Sequence, residues 1–475
     1  MEIIGRKAEK ERLERLYESG AAEMLVVYGR RRVGKTYLVR QHFENRFAFV
    51  ATGMYKQPQE VQLLQFGMAI NEYFDTDAPV FKNWLEAFAY LKKCLKESDK
   101  SRKLVFIDEI SWFDTDGSDF MAALEWFWNG WGSMESSMFL IACGSATSWI
   151  TEKLLSDKGG LFNRATSQMY LVPFTLHEME AYLKMRGFDW SRYDIAECYM
   201  VMGGIPYYLK QLDVKESYTA NIDSLFFKTN GRLKDEFEHL YRMLFTNSGY
   251  YIRIVEALSE KTMGLTREEI CDMAGVAKNG TLTKALSDLV SCNIIRGYNY
   301  YGKEKKGIVY QLCDYFTMFY FRYIKHHYGR DEHYWTLTID DPSRRTWAGL
   351  MYEQVAKDHI QLVKRAIGVY GVKSEQSMWY EKGDDSKRGA QIDLLIDRRD
   401  RVINVCEAKF SLSEFVIDKD YEEVLRKKMS VFREATKTHS ALHLTMITTY
   451  GVKQNSHSGI VQSQVTMDDL FKDGE

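Results

Sequence analysis

Residues 29–36, Gly29-Arg30-Arg31-Arg32-Val33-Gly34-Lys35-Thr36, follow the pattern G-x-x-x-x-G-K-[ST]. No other stretch of the chain restricts its fold as much. The run before it, Met24-Leu25-Val26-Val27-Tyr28, is short, apolar and β-prone, and the run after it, Tyr37-Leu38-Val39-Arg40-Gln41, can open a helix. In a strand–loop–helix unit, the loop amides and the helix N-terminus face an anion. Lys35 brings a point charge to the β/γ-phosphates of a nucleotide, and the Thr36 hydroxyl can ligate Mg²⁺. A basic turn flanked by glycines is the plain alternative, and the flanking strand and helix argue against it.

At 475 residues the chain exceeds one ordinary core, so two to four domains are expected. A hydrophobic share of 45% with 27% charged residues is that of a soluble globular protein, and only 5 prolines argue against long disordered linkers. A net charge of −2 excludes a globally basic nucleic-acid binder but allows a local basic face. The seven cysteines are scattered without a C-x-x-C pair, so neither a zinc site nor a disulfide framework is indicated. Reduced thiols, a charged N-terminus without a signal-like apolar segment, and no apolar run of membrane-spanning length all lead to the expectation of a cytoplasmic protein without membrane contact.

A second phosphate-handling element should be an apolar strand ending in acid. Leu104-Val105-Phe106-Ile107-Asp108-Glu109 supplies one. Asp108 is the candidate Mg²⁺ partner and Glu109 the candidate for orienting or deprotonating the attacking water. Strands are also expected at 46–51, 137–142 and 169–172, with helices around 60–73, 81–97 and 120–131. The helical aromatics Trp84, Phe88 and Trp126 read as core residues. This alternation implies a mostly parallel sheet covered on both faces.

With these motifs assembled, the chain resembles the archaeal and bacterial AAA+ ATPases often described as STAND-like. The opening Ile4-Gly5-Arg6-Lys7-Ala8-Glu9 looks like their I-G-R-x-x-E box. The resemblance implies that Gly5 and Arg6 lie near the adenine and that Ser145, ending the fourth strand, is the polar sensor. Gly159–Arg164 is similar to a G-x-L-x-x-R segment of the family, with Gly160 where Pro is common and Asn163 where Gly is common. It implies that Arg164 faces the phosphates. Gly203-Gly204-Ile205-Pro206-Tyr207-Tyr208-Leu209 looks like a lid motif of the family that would bring Pro206 to the nucleotide. A simple helix-breaking turn is the other reading.

Residues 250–312 change character. Helical patterns at 251–258 and 281–291 flank a capping box, Thr266 to Glu269, and a turn at Gly275. Two strand-like runs, 294–296 and 308–312, enclose a basic tip, Gly302–Gly307. The order resembles a winged helix-turn-helix, with Lys278, Lys284 and the Lys303–Lys306 wing as candidate DNA contacts. A packing module with a solvated wing remains the alternative. The aromatic stretch 316–323 reads as a buried helix between domains.

In the last third, Gln391-Ile392-Asp393-Leu394-Leu395-Ile396 and Val402–Phe410 read as a hairpin. Glu407 and Lys409 are two apart and share a face, and Asp393 can lie beside Glu407. The helical run 350–355 adds Glu353. Carboxylates Glu353, Asp393 and Glu407 are candidate Mg²⁺ ligands, and Lys409 could position water for attack on a phosphodiester. The arrangement resembles the PD-(D/E)XK nuclease superfamily, with Glu353 at its helical acid. A structural salt bridge on a hairpin is the alternative.

The expected fold is therefore α/β: a P-loop NTPase core (1–175) with helices on both faces of a parallel sheet, a helical lid (176–245), a winged helix-turn-helix (246–325) and a restriction-endonuclease-like α/β domain (326–475). The expected function is ATP binding and hydrolysis with Mg²⁺, acting on DNA through a nuclease-like effector. The alternative is a nucleotide-switched regulatory or scaffolding protein that cleaves nothing. A homo-oligomer or a partner protein is compatible with either.

Overall fold

Strand β1 (Glu23–Tyr28) ends at the Gly-rich loop and lies inside a sheet of order β2-β3-β4-β1-β5. The other members are β2 (Phe47–Thr52), β3 (Lys103–Asp108), β4 (Met138–Gly144) and β5 (Ser167–Tyr170), and every pairing is parallel. The computed structural model describes residues 3–145, 147–156, 161, 164–302, 308–327, 331–383 and 389–474. These residues divide into two units, Met1–Pro173 and Phe174–Glu475.

In the first unit, strand alternation sends Met24 and Val26 of β1 to one face and Leu25 and Val27 to the other, all four fully buried. Burial on both faces explains why the strands read as unbroken apolar runs. Met24 and Val26 join a core with Val105, Ile107 and Leu140, covered by helices Gln59–Phe74, Trp84–Glu97 and Phe120–Gly130. Phe66, Trp84, Phe88, Phe113 and Phe120 meet there ring to ring, with centroids 5.0–6.3 Å apart. The opposite face carries Phe139, against Phe43 of helix Lys35–Phe43, and Phe43 in turn meets Tyr17 of helix Lys7–Glu18. The sheet is thus covered on both sides. Trp126 is a correction: it is 41% exposed, beneath the Lys92 ammonium at 5.1 Å. The buried stripe of its helix runs through Phe120, Ala123, Leu124, Phe127 and Trp128, and position 126 falls off it.

The second unit opens with helices Leu176–Met185 and Arg192–Met202, each started by a capping box, Thr175/Glu178 and Ser191/Asp194. Helices Ser248–Ser259, Arg267–Ala274 and Gly280–Ser291 precede an antiparallel sheet of β6 (Leu265–Thr266), β7 (Ile295–Tyr298) and β8 (Val309–Leu312), in the order β6-β8-β7. The Thr266/Glu269 capping box forms as the sequence implies. Lys303–Gly307, the basic tip, lies outside the described residues. The strand that leads to it continues onto the next sheet: the Tyr301 amide donates to Met378 O at 2.9 Å, and Tyr301 packs on Phe432. That sheet runs β13-β12-β11-β10-β9, from β9 (Ser374–Glu381), β10 (Ala390–Arg398), β11 (Val402–Lys409), β12 (Ala441–Thr448) and β13 (Ser463–Thr466). β9, β10 and β11 pair antiparallel, and β12 and β13 join in parallel. Helices Pro342–Asp358 and Lys419–Thr436 pack on it.

The aromatic stretch 315–324 is helical, with Phe316 and Phe319 fully buried and Trp335 and Trp347 packed around Phe319 and Tyr323. Asp223 fixes this cluster: fully buried, it accepts the amides of Trp335 (2.7 Å) and Thr336 (3.0 Å). Replacing it strands two donors and opens a void. We expect Asp223→Ala to destabilise the second unit by about 3 kcal/mol in urea unfolding followed by tryptophan fluorescence.

Candidate functional site

The phosphate loop is shaped by its two glycines. Gly29 takes φ 139°, and a Cβ there would meet Leu171 O at 2.3 Å, so the chain can pass only without a side chain. Gly34 (φ 93°) caps helix Lys35–Phe43 with no side-chain acceptor, and no neighbouring atom would lie within 4 Å of a Cβ there. The helix therefore begins with no side-chain cap on its first-turn amides. Lys35 is only 6% exposed, and its ammonium donates to Gly29 O (2.9 Å) and Arg30 O (3.0 Å). Burial lowers its pKa.

The acids stand at the ends of neighbouring strands. Asp108, ending β3, accepts from Thr36 Oγ1 at 3.2 Å and from the Glu109 amide at 3.0 Å. Burial, with Glu109 alongside, raises its pKa. Glu109 sits in the left-handed region (φ 45°), which turns its side chain back across the sheet. Its Oε2 accepts from Ser145 Oγ at 2.9 Å, and Arg31 approaches its Oε1 at 3.7 Å. Arg31 also lies over the Trp112 ring, 5.6 Å from its centroid. The loop, Thr36, Asp108, Glu109 and Ser145 thus form one constellation. A Mg²⁺ fits the Thr36 hydroxyl and Asp108 carboxylate, already within hydrogen-bond distance of each other.

Of the other expected nucleotide contacts, Arg6 lies beside the loop, bonding the residue after Leu171, whose carbonyl closes on Gly29. Arg6 (φ 55°) is buried and donates to Val172 O at 2.6 Å, near Glu9; Gly5 precedes it at φ 62°. Arg164 is exposed and lies two residues before Thr166, whose amide donates to Met24 O. That is the opening end of β1, whereas the phosphate loop follows its closing end, so the chain does not bring Arg164 to its own loop. Gly160 and Asn163 of that segment lie outside the described residues. Pro206 begins helix Pro206–Leu209 in the second unit. Gly204 before it takes φ 64°, where a Cβ would strike Phe174 O at 2.2 Å. The turn is demanded by that close approach.

The second constellation is on the C-terminal sheet. Leu394 pairs with Cys406, so one step on Asp393 and Glu407 oppose each other on one face. Glu353 and Lys357, one turn apart on helix Pro342–Asp358, border the same small internal void as these two acids. Glu407 is tightly held: Lys409 at 3.0 Å and the Tyr421 hydroxyl at 2.8 Å on Oε1, and Lys428 at 2.6 Å on Oε2. Burial raises its pKa, but Lys428 and Lys409 outweigh that and leave it lowered. Glu353 makes no hydrogen bond or ion pair among the described residues, and burial, with Asp393 beside it, lifts its pKa to about 8. Asp393 accepts from Gln391. The donor chemistry suits a divalent cation. As arranged, however, no three of these groups among the described residues converge on one point. Lys428, Tyr421 and Lys357 were not singled out from the sequence. Lys357 carried a visible signal, the four-residue spacing from Glu353; Lys428 and Tyr421 come from a helix that bears no motif.

Removing one cation from a buried carboxylate leaves charge uncompensated. We expect Lys428→Met to destabilise the second unit by about 3 kcal/mol, and Glu407→Gln in the same chain to restore most of the loss, as read by a double-mutant cycle in urea.

Comparison with known proteins places the first constellation in a family. Residues 4–212 match the model of an ATPase domain described as predominantly from Archaea. An uncharacterized protein of Methanocaldococcus jannaschii is 24% identical over 437 residues, 90% of this chain and 92% of that one. An uncharacterized ATP-binding protein of the same organism is 46% identical over 44 residues, 9% of this chain and 75% of that one. Among solved structures, the Walker-type ATPase of Pyrococcus abyssi aligns with 67% of this chain and 96% of its own, at 18% identity and a TM-score of 0.49. Through residues 4–212, with its phosphate loop at Gly29–Thr36, the chain belongs to this predominantly archaeal ATPase domain family.

Proposed function

We propose that the chain hydrolyses ATP with the loop, Asp108, Glu109 and Ser145, and acts on DNA through its second unit. The observation that carries the first part is the Thr36–Asp108–Glu109–Ser145 line across the ends of three strands. In this reading the loop amides and the helix N-terminus hold the phosphates. Lys35 exchanges its two loop carbonyls for β/γ-phosphate oxygens. Thr36 and Asp108 would hold a Mg²⁺, which supplies charge neutralisation at the phosphates when bound. Glu109 orients the attacking water and accepts its proton once it turns from Ser145 and Arg31.

The second part rests on helix order and on the acid–lysine face. The three helices with the β6-β8-β7 sheet support a winged helix-turn-helix, and Asp393, Glu407, Lys409 and Glu353 on one sheet face support a restriction-endonuclease-like effector. Lys278 is already paired with Glu268 at 2.5 Å, so its contribution to a DNA surface competes with that ion pair. One specific observation favours a second reading, a nucleotide-switched binding module: both oxygens of Glu407 are engaged by lysines, which a cutting site would have to release.

The deciding experiment incubates the chain with ATP, Mg²⁺ and linear, nicked or single-stranded DNA, following phosphate release and DNA length together. Lys35→Ala should weaken ATP binding at least tenfold by calorimetry with the fold intact. Glu109→Gln should retain ATP and lose turnover by about a hundredfold or more. Unchanged affinity in the first, or wild-type turnover in the second, would refute the assigned roles. Lys409→Ala should abolish DNA cleavage while ATP hydrolysis continues. DNA left intact by the wild type under every metal and nucleotide condition would make the second unit a binding module.

A further inference from the structure

Beside the carboxylate–lysine face, the second unit contains a cleft of about 1160 Å³, bordered by Lys261, Arg322 and Trp347 on one side and by Asp393 and Lys428 on the other. Lys357 lines it and also reaches the inner void shared by Glu353, Asp393 and Glu407. Its position is unusual for a lysine. It is 7% exposed, yet among the described residues its ammonium makes no hydrogen bond and no ion pair; the Tyr298 ring lies 5.8 Å from it, and the Asp393 and Glu353 carboxylates act on it from around the void. The cluster therefore has two halves. Glu407, Lys409, Lys428 and Tyr421 satisfy one another, while Lys357 lines the cleft and, among the described residues, its ammonium hydrogen-bonds to none. Neighbouring contacts hold its helix in place: Asp358, the next residue, is bonded by Arg296 of β7 and by the Tyr315 hydroxyl.

A buried ammonium without a hydrogen-bonding partner is costly, and an anion brought by a ligand offsets that cost. The cleft limits which anion. Its volume is just above that of pockets enclosing one small molecule, roughly 300–1,000 Å³. Its rim carries both signs, Glu260 and Glu423 as well as Lys261 and Arg322, unlike the continuous basic groove that tracks a long strand. A few linked nucleotides match the volume and the buried Lys357 ammonium, which has no hydrogen bond or ion pair among the described residues.

We propose that Lys357 anchors one phosphodiester of a short single-stranded nucleic-acid segment drawn into this cleft, beside Asp393 and Glu353. The proposal rests on reading this face as a phosphodiester site, and it makes single strand, a frayed end or an extruded nucleotide the form that is engaged.

The test uses the full chain in EDTA, so that no cleavage intervenes, with a short fluorescein-labelled oligothymidylate as probe and fluorescence anisotropy as readout. A blunt duplex of the same length is the comparison. Wild type should bind the single strand more tightly than the duplex. Lys357→Met should weaken single-strand binding about tenfold and flatten its salt dependence, whereas Lys357→Arg, which keeps the charge, should retain most of it. Equal single-strand affinity in Lys357→Met, or wild-type preference for duplex, would each overturn the proposal. The broader reading is judged separately: DNA cleavage or duplex binding that survives Lys357→Met keeps the phosphodiester site and removes only Lys357 and the cleft from it.

Discussion

The hydrogen bonds from the Lys35 ammonium to the carbonyls of Gly29 and Arg30 hold the nucleotide site in shape. A lysine this deeply buried has to satisfy its donors locally. It does so by folding the loop around itself, and the loop can fold that way only because Gly29 passes beneath Leu171 O where no Cβ fits. The helix then starts at Lys35 with an uncapped first turn, and Thr36 arrives within hydrogen-bond distance of Asp108. The loop is thus closed and charged, with its amides presented, before any phosphate arrives. In the proposed reading a nucleotide would exchange one set of oxygen acceptors for another, with little reorganisation.

The parallel sheet makes the rest of that site possible. Because β1, β3 and β4 run in the same direction, their closing ends bring the loop, Asp108, Glu109 and Ser145 to one edge. Glu109 leaves β3 in the left-handed region and reaches the Ser145 hydroxyl at the end of β4. The same geometry accounts for Arg164. It precedes β5, and in a parallel sheet the residues before a strand lie at the edge opposite the loop.

The second unit manages buried charge differently. Glu407 lies among two lysines and a tyrosine, and their combined field overcomes burial and keeps the carboxylate ionised. At Glu353, a short distance away, burial and the neighbouring Asp393 outweigh Lys357 and raise the pKa to about 8. The surroundings thus shift the pKa values of two glutamates in one cluster in opposite directions. The strand from β7 that continues through Tyr301 to Met378 binds the small β6-β8-β7 sheet to this cluster, and Arg296 of the same strand reaches Asp358 beside Lys357.

The phosphate loop, its flanking strand and helix, and the acid-ended strand β3 were legible in the sequence because each is a local pattern: spacing, apolar runs and glycine positions. So was the shared face of Glu407 and Lys409, which follows from strand periodicity alone. The three strands β9, β12 and β13 carried no comparably marked pattern, and Trp126 was misplaced because an aromatic on a helix does not reveal which stripe is buried. Tertiary structure decided the remaining chemistry. It set Glu109 against Ser145, held Arg164 away from its own loop, brought Lys428 and Tyr421 from another helix onto Glu407, and buried Lys357 beside Asp393 and Glu353. Burial, protonation state and pairing depend on which elements pack together, and residues twenty or a hundred positions apart do not record that in their spacing. The sequence by itself determined the local phosphate-binding machinery, and only the folded chain determined which charges are satisfied and which wait for a ligand.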